Sequence, residues 1–126
     1  MSIQVKHKVF KDYLRVEFNG VRTPGEELKE GIAVWKQVTA LARSTNLNRI
    51  MVVSRVKGRL PVESAFNITQ SLEIIGWEAD FIIAGVVPDK IAFINLSIFE
   101  TIMQNQGYEG KIFEQESDAK KWLLSI

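Results

Sequence analysis

The chain has 126 residues, 46% of them hydrophobic, enough for a single core and short for two domains. Sixteen basic residues against fifteen acidic leave a formal charge of +1, so no global field draws the chain onto nucleic acid or an anionic membrane. With no cysteine, disulfide frameworks, thiolate zinc sites and cysteine nucleophiles are all excluded.

The opening MSIQVKHKVFKD is charged and alternating. It holds no apolar run that could serve as a signal peptide or a membrane span, so a cytoplasmic protein is expected. Ile3, Val5 and Val9 before Lys11-Asp12, and Leu14, Val16 and Phe18 after it, alternate as in a hairpin. Thr23-Pro24-Gly25-Glu26 has the form of a capping box with proline at the first helical position, which predicts a helix starting there. Leu28, Ile32, Trp35, Val38 and Ala42 then make one apolar stripe, and Asn46 is a stop.

Arg49 to Ser54 and Phe81 to Val87 are apolar runs without alternation, the pattern of strands buried on both faces. Between them Pro61 opens a helix carrying Val62, Ala65, Phe66, Ile68, Leu72 and Ile75 that ends near Gly76. Asp89 to Gln106, followed by Gly107, reads as another amphipathic helix. Lys111-Ile112-Phe113 is a short strand, and Ser117 to Leu124 a last helix with Ser117 as cap and Trp122 turned inward. No repeat, low-complexity segment or linker interrupts this order. The fold class is therefore α/β: one domain over residues 1–126, β-β-α-β-α-β-α-β-α, with a mostly parallel sheet, an antiparallel N-terminal hairpin and about four helices.

The ending Phe113-x-x-x-x-x-Ala119-x-x-Trp122-Leu123, behind an amphipathic helix and the apolar strand at Phe81 to Val87, resembles the C-terminal part of SpoIIAA-like domains of the STAS-type fold. The rest of the chain matches in order of elements. The resemblance implies a module that binds a protein, a nucleotide or a lipid-like ligand without chemistry or a cofactor of its own, and in which a homodimer or a heteromeric complex is unsurprising. In the anti-sigma-factor antagonists of that fold, a serine at the start of the second helix is phosphorylated within an Asp-Ser-Ser-Gly type of sequence. Ser64 stands at that place, but in Pro61-Val62-Glu63-Ser64, where a phosphate would meet the like charge of Glu63. It reads either as a phosphorylation site or as an ordinary first-turn serine, and a docking surface at this helix start is the better reading.

Arg55, Lys57, Gly58 and Arg59 follow a central strand and precede a helix start, where open α/β sheets hold ligands and free amides favour anions. They read as an anion site or as a solvated charged loop, and neither nucleotide-cradling glycine motif is present. His7, the only histidine, reads as a surface strand residue, and no metal site or serine triad can be assembled around it. Glu114, Glu116 and Asp118 suit the N-terminus of the last helix. Trp35 and Trp122 fit a core, whereas Trp77, just past Gly76, is expected to be exposed. The expected function is a non-enzymatic regulatory or interaction module. It would dock a protein partner through Pro61 to Phe66, with Arg55, Lys57, Arg59, Pro61, Glu63 and Phe66 as candidate contacts. The alternative is a carrier or sensor that holds a lipid-like or anionic small molecule between sheet and helices.

Overall fold

The computed structural model describes residues 2–126. Two antiparallel strands, β1 (Ile3–Val9) and β2 (Leu14–Val21), open the chain, and β3 (Arg49–Lys57), β4 (Ile82–Val86) and β5 (Glu109–Phe113) follow in parallel to β2. The spatial order is β1-β2-β3-β4-β5. Each new strand joins the same edge, so right-handed crossovers place every intervening helix on the same face. Those helices are α1 (Glu27–Thr45), α2 (Val62–Gln70), α3 (Leu72–Ile75) and α4 (Lys90–Asn105). Only α5 (Glu116–Ser125), which leads to no further strand, packs on the opposite face.

The single α/β domain expected from the sequence is thus present, with its antiparallel edge. Strand alternation divides the core in two. On the helix-rich face, Leu14, Val16 and Phe18 of β2 and Ile50, Val52 and Val56 of β3 meet Val34, Val38, Ile68, Leu72 and Leu96. On the other, Met51, Val53, Ala84 and Val86 meet Ala119 and Leu123 of α5, with Trp122 against Phe113. The residues of the Phe…Ala-x-x-Trp-Leu ending therefore belong to this second, smaller cluster.

Several element ends differ from expectation, each for a local reason. Thr23 to Glu26 is a turn and not the first helical turn: the Glu26 N–H donates to the Thr23 carbonyl at 2.9 Å, with Pro24 and a positive-φ Gly25 (86°) between them, the pattern of a type II turn. The helix begins at Glu27, and no side chain caps it through its N-cap residue Glu26. Glu30, one turn into the helix, ties down the turn that precedes it. Its carboxylate accepts from the Thr23 N–H at 2.9 Å, the Thr23 hydroxyl at 2.8 Å and the Ser2 hydroxyl at 2.6 Å, which ties the start of β1 to α1. Asn46 ends the helix as expected, in the left-handed conformation.

The second helix breaks at Ser71. The hydroxyls of Thr69 and Ser71 bond back to the carbonyls of Phe66 and Asn67, a competition that loosens helices. In α4 the Asp89 carboxylate caps the Ala92 N–H at 2.9 Å. Ser117 caps nothing, because α5 starts one residue earlier with Gln115 as its N-cap residue.

Glu116, the first residue of α5 and an acidic residue of its first turn as expected, also forms a fork with Arg15 of β2, whose Nε and Nη2 donate to it at 2.9 and 3.0 Å. Glu17, held by Asn19 and then Arg15, Glu116, held by Arg15, and Glu30, held first by the Ser2 hydroxyl, all have pKa values below the ordinary carboxylate value. A carboxylate with a depressed folded pKa stabilises above its unfolded pKa, and that contribution is lost as pH falls through the folded value. The thermal midpoint is therefore expected to be flat near neutrality and to drop below about pH 4.5, the unperturbed value. Calorimetry from pH 7 to pH 3 checks this, and Arg15→Gln should give the shallower acid loss of the two proteins.

Candidate functional site

The start of α2 is built by clamping its leading loop to α4. The Leu60 N–H donates to Asn95 Oδ1 at 3.0 Å, and Asn95 Nδ2 returns a bond to the Leu60 carbonyl at 2.9 Å. Because β3 and β4 are parallel, the helices that follow them begin at the same end of the sheet. Pro61 supplies the N-cap position of α2, with Ala65 N–H donating to its carbonyl at 3.0 Å. Ala65, Ile68 and Thr69 point inward, which leaves the outer face to Val62, Glu63 and Phe66. Val62 is 51% and Phe66 48% exposed, and in the first turn and a half of α4 Ile91 and Ile94 are 80% and 68% exposed. Four large apolar side chains thus face solvent on two helix starts fixed to each other by Asn95. Scattered exposed apolar residues need no explanation, and it is their grouping on two neighbouring helix starts that makes this the candidate surface. Ser64 lies in the first turn of α2, half-buried beside the exposed Glu63.

The basic residues do not form one cluster with that surface. Strand β3 extends to Lys57, so Arg55 and Lys57 are strand residues that alternate with the buried Val56 and face away from the helix-rich core. Arg55 lies 3.9 Å from Glu17 in the same charged face as the Arg15–Glu116 fork. Arg59 alone stays with the loop before α2, where it is exposed. The guanidinium of Arg22, which follows β2, donates to the Gly58 carbonyl at 2.6 Å and fastens that loop from the other side. Burial lowers the pKa of Arg22, against the opposing pull of Glu30 and Glu27. His7 is exposed on β1, and among the described residues no three His, Asp or Glu side chains gather into a group that could hold a metal ion. No helix among them is long and apolar enough to cross a membrane.

Beneath α1, α2 and α4 the helix-rich face of the sheet is incompletely filled. A cavity of about 140 Å³ lies there, floored by Val52, Ser54 and Gly85 and walled by Val34, Trp35, Ile68, Trp77, Leu96 and Met103. Charged side chains also line it: Arg22 and Glu27 around the start of α1, Glu100 of α4 and Lys111 of β5.

Trp77, expected at the surface, is 7% exposed. Gly76 explains the difference: with φ at 92° it ends α3 and turns the chain, and Trp77 packs edge-on between Trp35 (ring centroids 5.8 Å apart) and Phe81 (5.1 Å). The Arg43 guanidinium donates to the Gly76 carbonyl at 2.6 Å and holds this turn under α1. The sequence reading set a ligand space between sheet and helices as its alternative, and it missed the Asn95 clamp and the Arg15–Glu116 fork. The fork joins residues 101 positions apart and leaves no local pattern, whereas Ser54 and Gly85, small residues amid apolar strands, were a readable sign of open space. Compared with models of known protein families and with curated proteins, the sequence matches none.

Proposed function

We propose that the protein is a non-enzymatic regulatory or interaction module of the SpoIIAA-like type that its ending resembles, and that it docks a protein partner through the starts of α2 and α4. The observation that carries this reading is the exposure of Val62, Phe66, Ile91 and Ile94 on two helix starts locked together by Asn95. A preformed backbone surface lowers the ordering cost of binding, so more of the gain from burying these side chains is left as affinity. Arg59 and Glu63 border it with one charge of each sign and would fix orientation at the rim. Ser64 is then an ordinary first-turn serine beside the docking face, not a switch.

The test is recovery of the tagged protein from its own host, comparing wild type with Phe66→Asp/Ile91→Asp and with Ile74→Asp, which alters an equally exposed isoleucine on α3 away from this surface. A chain recovered in stoichiometric amount with wild type and Ile74→Asp, and reduced at least tenfold with the double variant, is the expected result. Equal recovery with all three, or a monomer without a stoichiometric companion, would overturn the reading.

A further inference from the structure

Among the described residues β1 is an outermost strand of the sheet and pairs with β2 alone. Hydrogen bonds at its two ends fix which way its backbone groups point. The Phe10 N–H donates to the Tyr13 carbonyl at 3.0 Å, and the Ser2 carbonyl accepts the Val21 N–H at 3.2 Å. In an antiparallel pair bonded residues alternate, so Ser2, Gln4, Lys6, Lys8 and Phe10 face β2. The N–H and C=O groups of Ile3, Val5, His7 and Val9 therefore point away from the sheet. Natural sheets blunt such an edge with proline, a bulge, a covering element or charge. β1 contains no proline, its seven residues pair one to one with β2 without a bulge, and Lys6 to Val9 are all exposed. Of those devices it keeps only charge.

That charge has one sign. Ile3 and Val5 pack on the helix-rich core, so strand alternation puts Gln4, Lys6 and Lys8 on the side of α5. There α5 packs chiefly on β3, β4 and β5 and leaves β1 open. Glu17 stands opposite Lys6 but is engaged by Asn19, Arg15 and Arg55, and Lys8 stands opposite Arg15 with its ammonium 5.1 Å from the Phe10 ring. Neither lysine has a carboxylate partner among the described residues. On the other side Val5 is half-buried and Val9 is 50% exposed. We propose that the β1 edge accepts an extended acidic segment of a partner protein as an added strand, with its carboxylates beside Lys6 and Lys8 and its apolar side chains beside Val5 and Val9. Backbone pairing supplies affinity in such strand addition, and the alternate side chains supply specificity. Charge decides against a second copy of the chain, because two joined β1 strands would gather four lysines on one face, and neighbouring like charges oppose pairing. This edge shares no residue with the α2 and α4 surface, and neither site requires the other.

The probes are two capped peptides of alternating residues, one of glutamate and valine, the other with lysine in place of each glutamate. Amide correlation spectra and hydrogen exchange of the full chain, at low ionic strength, follow their binding. With the glutamate peptide the amides of Val5, His7 and Val9 are expected to shift and to exchange more slowly, while those of Lys6 and Lys8, already bonded to β2, keep their exchange rates. The lysine peptide should bind at least about tenfold more weakly, a gap that narrows as salt is added. Lys6→Glu/Lys8→Glu should reverse the preference. His7→Pro removes an outward N–H but no bond to β2, and should weaken the glutamate peptide about fivefold. Equal binding of the two peptides, shifts confined to other elements, or an unchanged preference in the charge-reversed variant would each overturn the proposal. Protection of the same amides that grows with protein concentration in the absence of peptide would overturn it too, in favour of a second copy. The comparison of the two peptides on the wild type decides the matter even if a variant fails to fold.

Discussion

Gly20→Ala is expected to lower the thermal midpoint by roughly 10 °C, a loss of about 3 kcal/mol for a domain of this size. Two penalties combine there. Gly20 has φ at 122°, a conformation that side-chain-bearing residues rarely adopt, and a Cβ would lie 2.0 Å from the carbonyl oxygen of Ser2. That oxygen belongs to the backbone and cannot rotate aside. It also accepts the Val21 N–H at 3.2 Å, so moving it unpairs the start of β1 from the end of β2. Ser2 would carry its hydroxyl away from Glu30, and the tie between β1 and α1 would weaken with it. Gly107→Ala separates the two penalties, because Gly107 also has a positive φ (85°) but no atom stands within 4 Å of its missing Cβ. There the backbone conformation alone should cost about 1 kcal/mol. Thermal melts of the two variants check the pair, and similar midpoints would show that the Ser2 contact is dispensable.

What could be read from the sequence was whatever depends on neighbours along the chain. The stripe Leu28, Ile32, Trp35, Val38, Ala42 identified α1, and the unbroken apolar runs at Ile50 to Val53 and Ile82 to Val86 identified strands covered on both faces, because period and composition are local signals. Proline at position 61 and glycine at position 76 were read correctly as punctuation for the same reason. Thr23 to Glu26 shows the limit of such signals. Threonine, proline and glutamate at those spacings fit both a capped helix and a turn, and Gly25 at positive φ, together with the distant Ser2 and Glu30, settles it as a turn. Trp77 shows a second limit: its position after a helix suggested exposure, but its environment is made by Trp35 and Phe81, brought in by other elements. At the candidate docking surface, Pro61, Glu63 and Phe66 were legible as a helix start. Their companions Ile91 and Ile94 were not, since only the parallel pairing of β3 with β4 and the Asn95 clamp bring the two helix starts together.

The two faces of the sheet also differ in how much holds them, and Leu123→Ala should expose that difference. Four helices cover one face, while α5 alone closes the other over Met51, Val53, Ala84 and Val86. Leu123 is fully buried in that small cluster, and deleting three of its carbons leaves a void that few neighbours can collapse to fill, at a cost of about 3 kcal/mol. The adjacent Leu124, 40% exposed, should tolerate alanine to within about 0.5 kcal/mol. Chemical denaturation of both variants gives the sizes, and hydrogen exchange gives the location. Amides of α5 should exchange faster in Leu123→Ala well before those of β3, because the helix has few other anchors: Ala119, Trp122 against Phe113, and the Arg15–Glu116 fork near its start. The starts of α2 and α4 lie on the opposite face, so a partner docked there would be bound by the folded fraction of Leu123→Ala with wild-type affinity. Loss of that binding in folded protein would mean instead that α5 and the helix-rich face act as one cooperative unit, and that the back of the sheet takes part in positioning the surface.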